Sequence, residues 1–144
     1  MIFRKKILNS SEEQMLLEAI KEAENKTSGE IRVHIEYNAK GDVVELCKKK
    51  FEELKMHETK DRNGILFYLA VKTKSFAVWG DEGIHQKVSQ DFWDSITNLA
   101  LLHFKNGNYV DGLKSAIYSC GEQLKTHFPI QADDKDELTN EISY

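Results

Sequence analysis

The spacing of apolar residues switches between helical and alternating along this chain, and the switches order its elements. Met15, Leu16, Ala19, Ile20 and Ala23 recur at helical spacing and predict a helix over about 11–27. Ser10 with Glu13 three residues later has the capping-box form, Ser11 is a competing cap, and Thr27-Ser28-Gly29 stops the helix. Residues 31–37 then alternate, with Ile31, Val33, Ile35 and Tyr37 facing one way and Arg32, His34 and Glu36 the other. That is the pattern of a half-buried strand near a sheet edge. Gly41-Asp42 opens a second helix to about residue 56, with Val43, Val44, Cys47, Phe51 and Leu54 inward. After the turn Asp61-Arg62-Asn63-Gly64, the run from Ile65 to Val71 is apolar without alternation, the mark of a central strand covered on both faces. Lys72-Thr73-Lys74 is a connection so short that the next strand, Ser75 to Trp79, must return as an antiparallel hairpin.

Gly80-Asp81-Glu82-Gly83 breaks that strand, and a short helical stretch follows at about 84–89. A long helix over about 91–105 is capped by Asp91 or Ser89 and carries Phe92, Ile96, Leu99, Ala100 and His103 on its inner stripe. Asn106-Gly107-Asn108 ends it, and a last helix over about 109–126 buries Val110, Leu113, Ala116, Ile117, Cys120 and Leu124. The order α-β-α-β-β-α-α contains one β-α-β crossover, which makes the first two strands parallel. The expected fold is α/β, with helices on both faces of a small mixed sheet. Residues 1–130 read as a single domain, and 131–144, which include Asp133-Asp134-Lys135-Asp136-Glu137, as an acidic, extended C-terminal tail.

Composition narrows the possible partners. A chain of 144 residues buries enough surface to fold without disulfide or metal. Lys and Arg number 20 against 24 Asp and Glu, a net charge of −4, so the basic excess of a nucleic-acid binder is missing. Lys48-Lys49-Lys50 is flanked by Glu45, Glu52 and Glu53 and reads as the wet face of a helix. Cys47 and Cys120 stand among apolar residues and read as buried thiols of a reducing compartment. No secretory apolar segment and no membrane-length apolar run occurs, so the expectation is a cytoplasmic monomer that meets neither membrane nor nucleic acid.

Topology brings polar residues together. If the strands at 31–37 and 65–71 are parallel, their N-terminal ends share a sheet edge, and the hairpin returns residue 79 to it. The turns Ser28-Gly29-Glu30, Asp61-Arg62-Asn63-Gly64 and Gly80-Asp81-Glu82-Gly83 then converge, crowding Glu30, Asp61, Asp81 and Glu82. Crowded carboxylates repel and call for a cation, and hard oxygen donors without paired His or Cys suit calcium, or magnesium, better than zinc. Asn63 adds a side-chain carbonyl and Asp91 stands at the rim, completing a candidate metal set of Glu30, Asp61, Asn63, Asp81, Glu82 and Asp91. Gly64, Gly80 and Gly83 are read as supplying left-handed turn backbone, and His85 as a proton donor within reach of the same pocket. Asp, Asn and Gly are also what ordinary turns are made of. No G-x-S-x-G elbow, phosphate loop or dinucleotide fingerprint is present.

The same segments carry a resemblance. Arg62-Asn63-Gly64-Ile65-Leu66-Phe67-Tyr68-Leu69-Ala70, followed by Phe76-Ala77-Val78-Trp79-Gly80-Asp81-Glu82-Gly83-Ile84-His85, is similar to the core signature of the TPM domain family. That family includes the thylakoid acid phosphatase and the photosystem II repair proteins. Ser28-Gly29-Glu30-Ile31-Arg32-Val33 and Tyr109-Val110-Asp111-Gly112-Leu113 extend the match, and His127-Phe128-Pro129 resembles the stand-alone soluble bacterial branch. The resemblance implies a Rossmann-like three-layer α/β/α sandwich and divalent-metal binding, chiefly of calcium, in an acidic groove. Many relatives carry a signal peptide and a membrane anchor that this sequence lacks, so a role in photosystem repair does not carry over. Three functions follow in order: a calcium-binding module, a scaffold for an unidentified protein partner, and a metal-assisted phosphomonoester hydrolase. In the last, Asp61 or Asp81 would attack or activate water and His85 would protonate the leaving group.

Overall fold

The computed structural model of the protein describes residues 7–130 and 141–144. Its elements follow the predicted order: α1 (Ser10–Glu24), β1 (Glu30–Glu36), α2 (Val43–Glu53), β2 (Gly64–Ala70), β3 (Ser75–Gly80), α3 (Glu82–His85), α4 (Gln90–Phe104) and α5 (Tyr109–His127). The cap of α1 lies one residue earlier than expected. Asn9 accepts from the Glu12 amide at 2.8 Å, and Glu12 accepts from the Asn9 amide at 3.0 Å, a reciprocal box. Glu12 and Glu13 are adjacent, so Asn9 and Ser10 each have an acid three residues on, and local sequence does not choose between them.

Among the described residues the strands lie in the order β1-β2-β3. β1 runs parallel to β2, pairing Glu30 with Gly64 and Glu36 with Ala70. β3 is antiparallel to β2, with Gly80 opposite Ile65 and Ser75 opposite Ala70. β2 is the central strand and is buried along its whole length. Its alternate residues feed two cores. Leu66, Tyr68 and Ala70 pack with Cys47 and Phe51 of α2, Met56 and Ala77. Ile65, Phe67 and Leu69 pack with Ile31, Val33 and Ile35 of β1 and with α1, α4 and α5 through residues such as Leu16, Ile96, Leu113 and Leu124. Among the described residues the result is an α/β fold of three layers, with α2 below the sheet and the long helices α1, α4 and α5 above it. Met15 and Val44, expected inside, are 37% and 43% exposed, because the buried stripes run through Leu16, Ala19, Ile20 and Ala23 and through Cys47 and Phe51.

β1 departs from the simple alternation. His34, assigned to a polar outer face, is fully buried. Its Nε2 lies 2.8 Å from Glu36 Oε1, its Nδ1 lies 2.8 Å from Ser143 Oγ, and its ring tilts against Tyr68 at 5.0 Å. Ser143 is there because residues 141–144 line the outer edge of β1. The Ser143 amide donates to Val33 O at 2.9 Å, and the Ile35 amide donates to Ser143 O at 2.8 Å. Arg32 Nε donates to Glu141 O at 3.2 Å, and Ile142 is buried with the upper core. An edge strand with open N–H and C=O groups invites pairing, and this segment supplies it. The acidic run 133–137 lies outside the described residues.

Two expectations follow. Ile142→Asp should cost about 2–4 kcal/mol in urea unfolding, by removing a buried branched side chain and placing a charge at its site. Burial holds the His34 imidazole below its ordinary value, against the upward pull of Glu36 and Glu53, while Lys50 adds to the lowering. The unfolded chain therefore takes up a proton near pH 6.5 that the folded chain resists. The stability supplied by neutral His34 is complete above about pH 6.5 and is lost as pH falls through the lowered folded value, at up to about 1.4 kcal/mol per pH unit. Thermal midpoints read between pH 7.5 and 5.5 should fall more steeply for the parent than for His34→Gln.

Candidate functional site

The register of the sheet stitches the predicted turns together. At the shared edge the Glu30 amide donates to Asn63 O at 3.2 Å, the Asp81 amide to Gly64 O at 2.9 Å and the Gly83 amide to Arg62 O at 3.0 Å. The glycines serve a different purpose from the one expected. Among the described glycines only Gly41 and Gly107 have positive φ. A Cβ on Gly83 would lie 2.3 Å from Asp61 O and 2.6 Å from Arg62 O, and one on Gly80 would lie 2.3 Å from the Trp93 ring. These positions need glycine for close approach. The left-handed residue of the cluster is Arg62, at φ 51°.

Asp81 is the polar centre of this edge. It is 5% exposed and caps α3, accepting from the Glu82 amide at 2.8 Å through Oδ1. Its carboxylate is held bidentately by Arg62, Nε to Oδ2 at 2.7 Å and Nη2 to Oδ1 at 2.9 Å. Arg62 Nη1 lies 3.3 Å from Glu82 Oε1, and the hydrogen bond to Asp81 raises the guanidinium above its already high ordinary value. Glu30 and Asn63 are buried beside the edge, and the Asn63 amide donates to Thr59 Oγ1 at 3.2 Å. Asp61 and Glu82 are exposed.

A groove of about 560 Å³ opens at this edge, with Arg62, Gly80, Asp81, Glu82 and His85 from the turns and Lys48, Phe51 and Glu52 from α2. His57 and Trp79 complete its wall. Trp79 also packs against the lower core. Lys48 Nζ lies 4.5 Å over its ring. His85 stands between Trp79 and Trp93, with ring centroids 5.1 Å from each, and His57 Nδ1 is buried without a hydrogen-bond partner. The lysine run of α2 is therefore not wholly a solvated face. The i, i+3 spacing of Lys48 and Phe51 was the available signal that one lysine shares a face with a core residue. Asp91 belongs elsewhere, to a separate groove with Lys87, Ser89, Gln123 and His127.

Chemically, the turns offer hard oxygen donors, and acidic side chains outnumber basic ones four to one on residues 28–30, 61–64 and 80–83. That donor chemistry fits calcium or magnesium. Among the described residues, however, no group of three or more His, Cys, Asp or Glu side chains is gathered closely enough to hold a metal ion, and both Asp81 oxygens are engaged by Arg62.

Comparison with known proteins bears on the same segments. A sequence profile of the TPM domain matches residues 2–123. The NMR structure of the BA42 protein from the psychrophilic bacterium Bizionia argentinensis is 45% identical, superposes with a TM-score of 0.92 and covers 99% of each chain. The N-terminal domain of the cg2496 protein from Corynebacterium glutamicum shares the fold at 13% identity and a TM-score of 0.69, over 92% of this chain and 84% of that one. The N-terminal domain of a P. gingivalis protein does so at 17% identity and 0.69, over 85% and 79%. No curated protein matches the chain.

The stitched turns yield a structural prediction. Gly83→Ala should cost about 2 kcal/mol by forcing two backbone carbonyls apart. Its amide shift changes should concentrate at residues 61–64 and leave 141–144 in place.

Proposed function

The chain belongs to the TPM domain family, and from that premise we propose that it is a divalent-cation binding module whose ion, calcium by donor chemistry, is held at the acidic edge of the sheet. The observation that carries the reading is the stitching of three acid-bearing turns around Asp81, a nearly buried carboxylate. Asp81 and Glu82 would be the principal ligands, with Glu30, Asp61, Asn63 and turn carbonyls as further oxygens. Asp91 is left out of this set because it lines another groove. Calcium accepts irregular sets of carboxylates, backbone carbonyls and waters, which suits a site assembled from loops. When bound, the ion supplies positive charge that the excess carboxylates lack.

A phosphomonoester hydrolase is the second reading, favoured by one observation. Lys48 joins Arg62 on the groove, adding a second positive side chain for an anionic ester, and the imidazoles of His57 and His85 line the same groove. Turnover of a chromogenic phosphate ester, with and without magnesium or calcium, tests it, and activity surviving Asp61→Asn with Asp81→Asn would mark a contaminant.

For the cation, metal-stripped protein titrated with calcium should show saturable amide shifts concentrated at residues 28–31, 61–65 and 79–85. Asp81→Asn should weaken that binding at least about tenfold, the loss expected when one charged oxygen ligand becomes neutral. Spectra that stay flat to millimolar calcium would discard the reading.

A further inference from the structure

We infer that the outer edge of β1 is a docking site for an extended segment of another protein, of the form acidic, branched apolar, hydroxyl, and that residues 141–144 are its resident competitor. Residues 32–35 of β1 carry the site, and no cation takes part. Ser143 bridges His34 in parallel register, donating its amide to Val33 O at 2.9 Å and accepting from the Ile35 amide at 2.8 Å. Main-chain pairing of this kind accepts any extended segment, so selection falls to the side chains. Ile142 enters the upper core and is 7% exposed, which calls for a branched apolar residue at that position. Ser143 turns the opposite way, as strand alternation requires, and its Oγ lies 2.8 Å from Nδ1 of the fully buried His34. The other ring nitrogen, Nε2, faces Glu36 Oε1 at 2.8 Å, and a carboxylate accepts the ring proton there. Nδ1 is then bare and aimed at the edge, where it accepts from a hydroxyl. Arg32 closes the pattern: its Nε donates to Glu141 O at 3.2 Å, and the Glu141 charge attracts its guanidinium.

The edge needs an occupant, but the resident one is lightly held. Without it, Val33 O, the Ile35 amide and His34 Nδ1 all lose their partners at once. Against that, the segment is short, Glu141 and Tyr144 are exposed, and Ile142 is its one buried side chain. A handful of hydrogen bonds and one apolar side chain barely offset the entropy of ordering such a segment. Release is therefore a local opening that leaves the rest of the sheet paired. Residues 131–140 join the segment to the remainder of the chain, so it returns as an intramolecular ligand. A tethered ligand competes at an effective concentration on the order of millimolar. The resident segment thus shields an edge that would otherwise pair indiscriminately, and it yields only to a partner that adds contacts beyond these four positions.

The probe is a synthetic peptide with the sequence of residues 138–144, added to the full isotope-labelled chain. In the parent alone, the Ile35 and Ser143 amides should exchange with solvent at least about 100-fold faster than those of β2, the mark of local opening. Exchange at the rate of global unfolding would make the segment a fixed part of the fold and overturn the proposal. Millimolar peptide should drive the parent's own Ser143 amide to a released position while the Ile35 amide stays protected. The full chain carrying Ile142→Asp, whose own segment no longer fits, should bind the peptide at least about tenfold more tightly than the parent and gain thermal midpoint from it. Its shifts should concentrate at residues 32–36, and a peptide with aspartate in place of the isoleucine should produce none. Should Ile142→Asp fail to fold, the exchange rates and the peptide titration of the parent decide alone. A peptide that leaves residues 32–36 unmoved, or that acts equally with aspartate, overturns the site. If the peptide fails and the parent instead dimerises by trading residues 141–144 between copies, the occupant is a second copy of this chain and the separate partner is ruled out.

Discussion

Parallel pairing between β1 and β2 obliges the chain to cross the sheet between them, and α2 makes that crossing. The consequences reach every other element. The crossover covers the lower face, so the remaining long helices, α1, α4 and α5, pack on the upper one. It also brings the N-terminal ends of β1 and β2 to one edge, where the tight hairpin delivers the end of β3. A one-residue slip in this ladder would turn Ile65, Phe67 and Leu69 toward the wrong helices. The buried alternation of β2 thus guards the same register that places the functional edge.

At that edge electrostatics takes over from packing. Turns rich in Asp, Asn and Gly are common, but few are joined so that one carboxylate loses its water. Asp81 does, because the Gly83 amide docks on Arg62 O and draws the start of α3 against the turn before β2. Once buried, the carboxylate must be answered by charge, and the nearest residue able to answer is Arg62 on the opposing turn. Ion pair, helix cap and turn geometry are therefore one unit, with a mixed aromatic and charged groove beside it formed by Trp79, His85, His57 and Lys48.

Much of this was legible in the sequence where the signal was periodic or topological. The unbroken apolar run of β2 announced a central strand, and the three-residue connection Lys72-Thr73-Lys74 announced the hairpin. The convergence of the three turns followed from those two facts. The readings that changed were local ones decided by distant partners. His34 occupies an outward position of an alternating strand and is buried because residues 141–144 cover it. Gly80 and Gly83 need no left-handed backbone; they are small because Trp93 and the carbonyls of residues 61 and 62 press on them. Asp91 carries the same carboxylate as Asp61 and Asp81 but lines a different groove, since it stands at the start of α4, beyond α3 and the segment that follows it.

Sequence alone therefore determined the order of elements, the parallel and antiparallel pairings, the two-faced burial of β2 and the set of acidic turns that meet. Each follows from the period of side-chain placement or the length of a connection, properties a one-dimensional string carries in full. Only the tertiary structure decided that Asp81 is answered by Arg62, that Lys48 and His57 reach the groove, and that Ile142 and Ser143 close the edge of β1. Those depend on contacts between residues far apart in the chain, across distances of a few ångströms that composition and spacing do not encode.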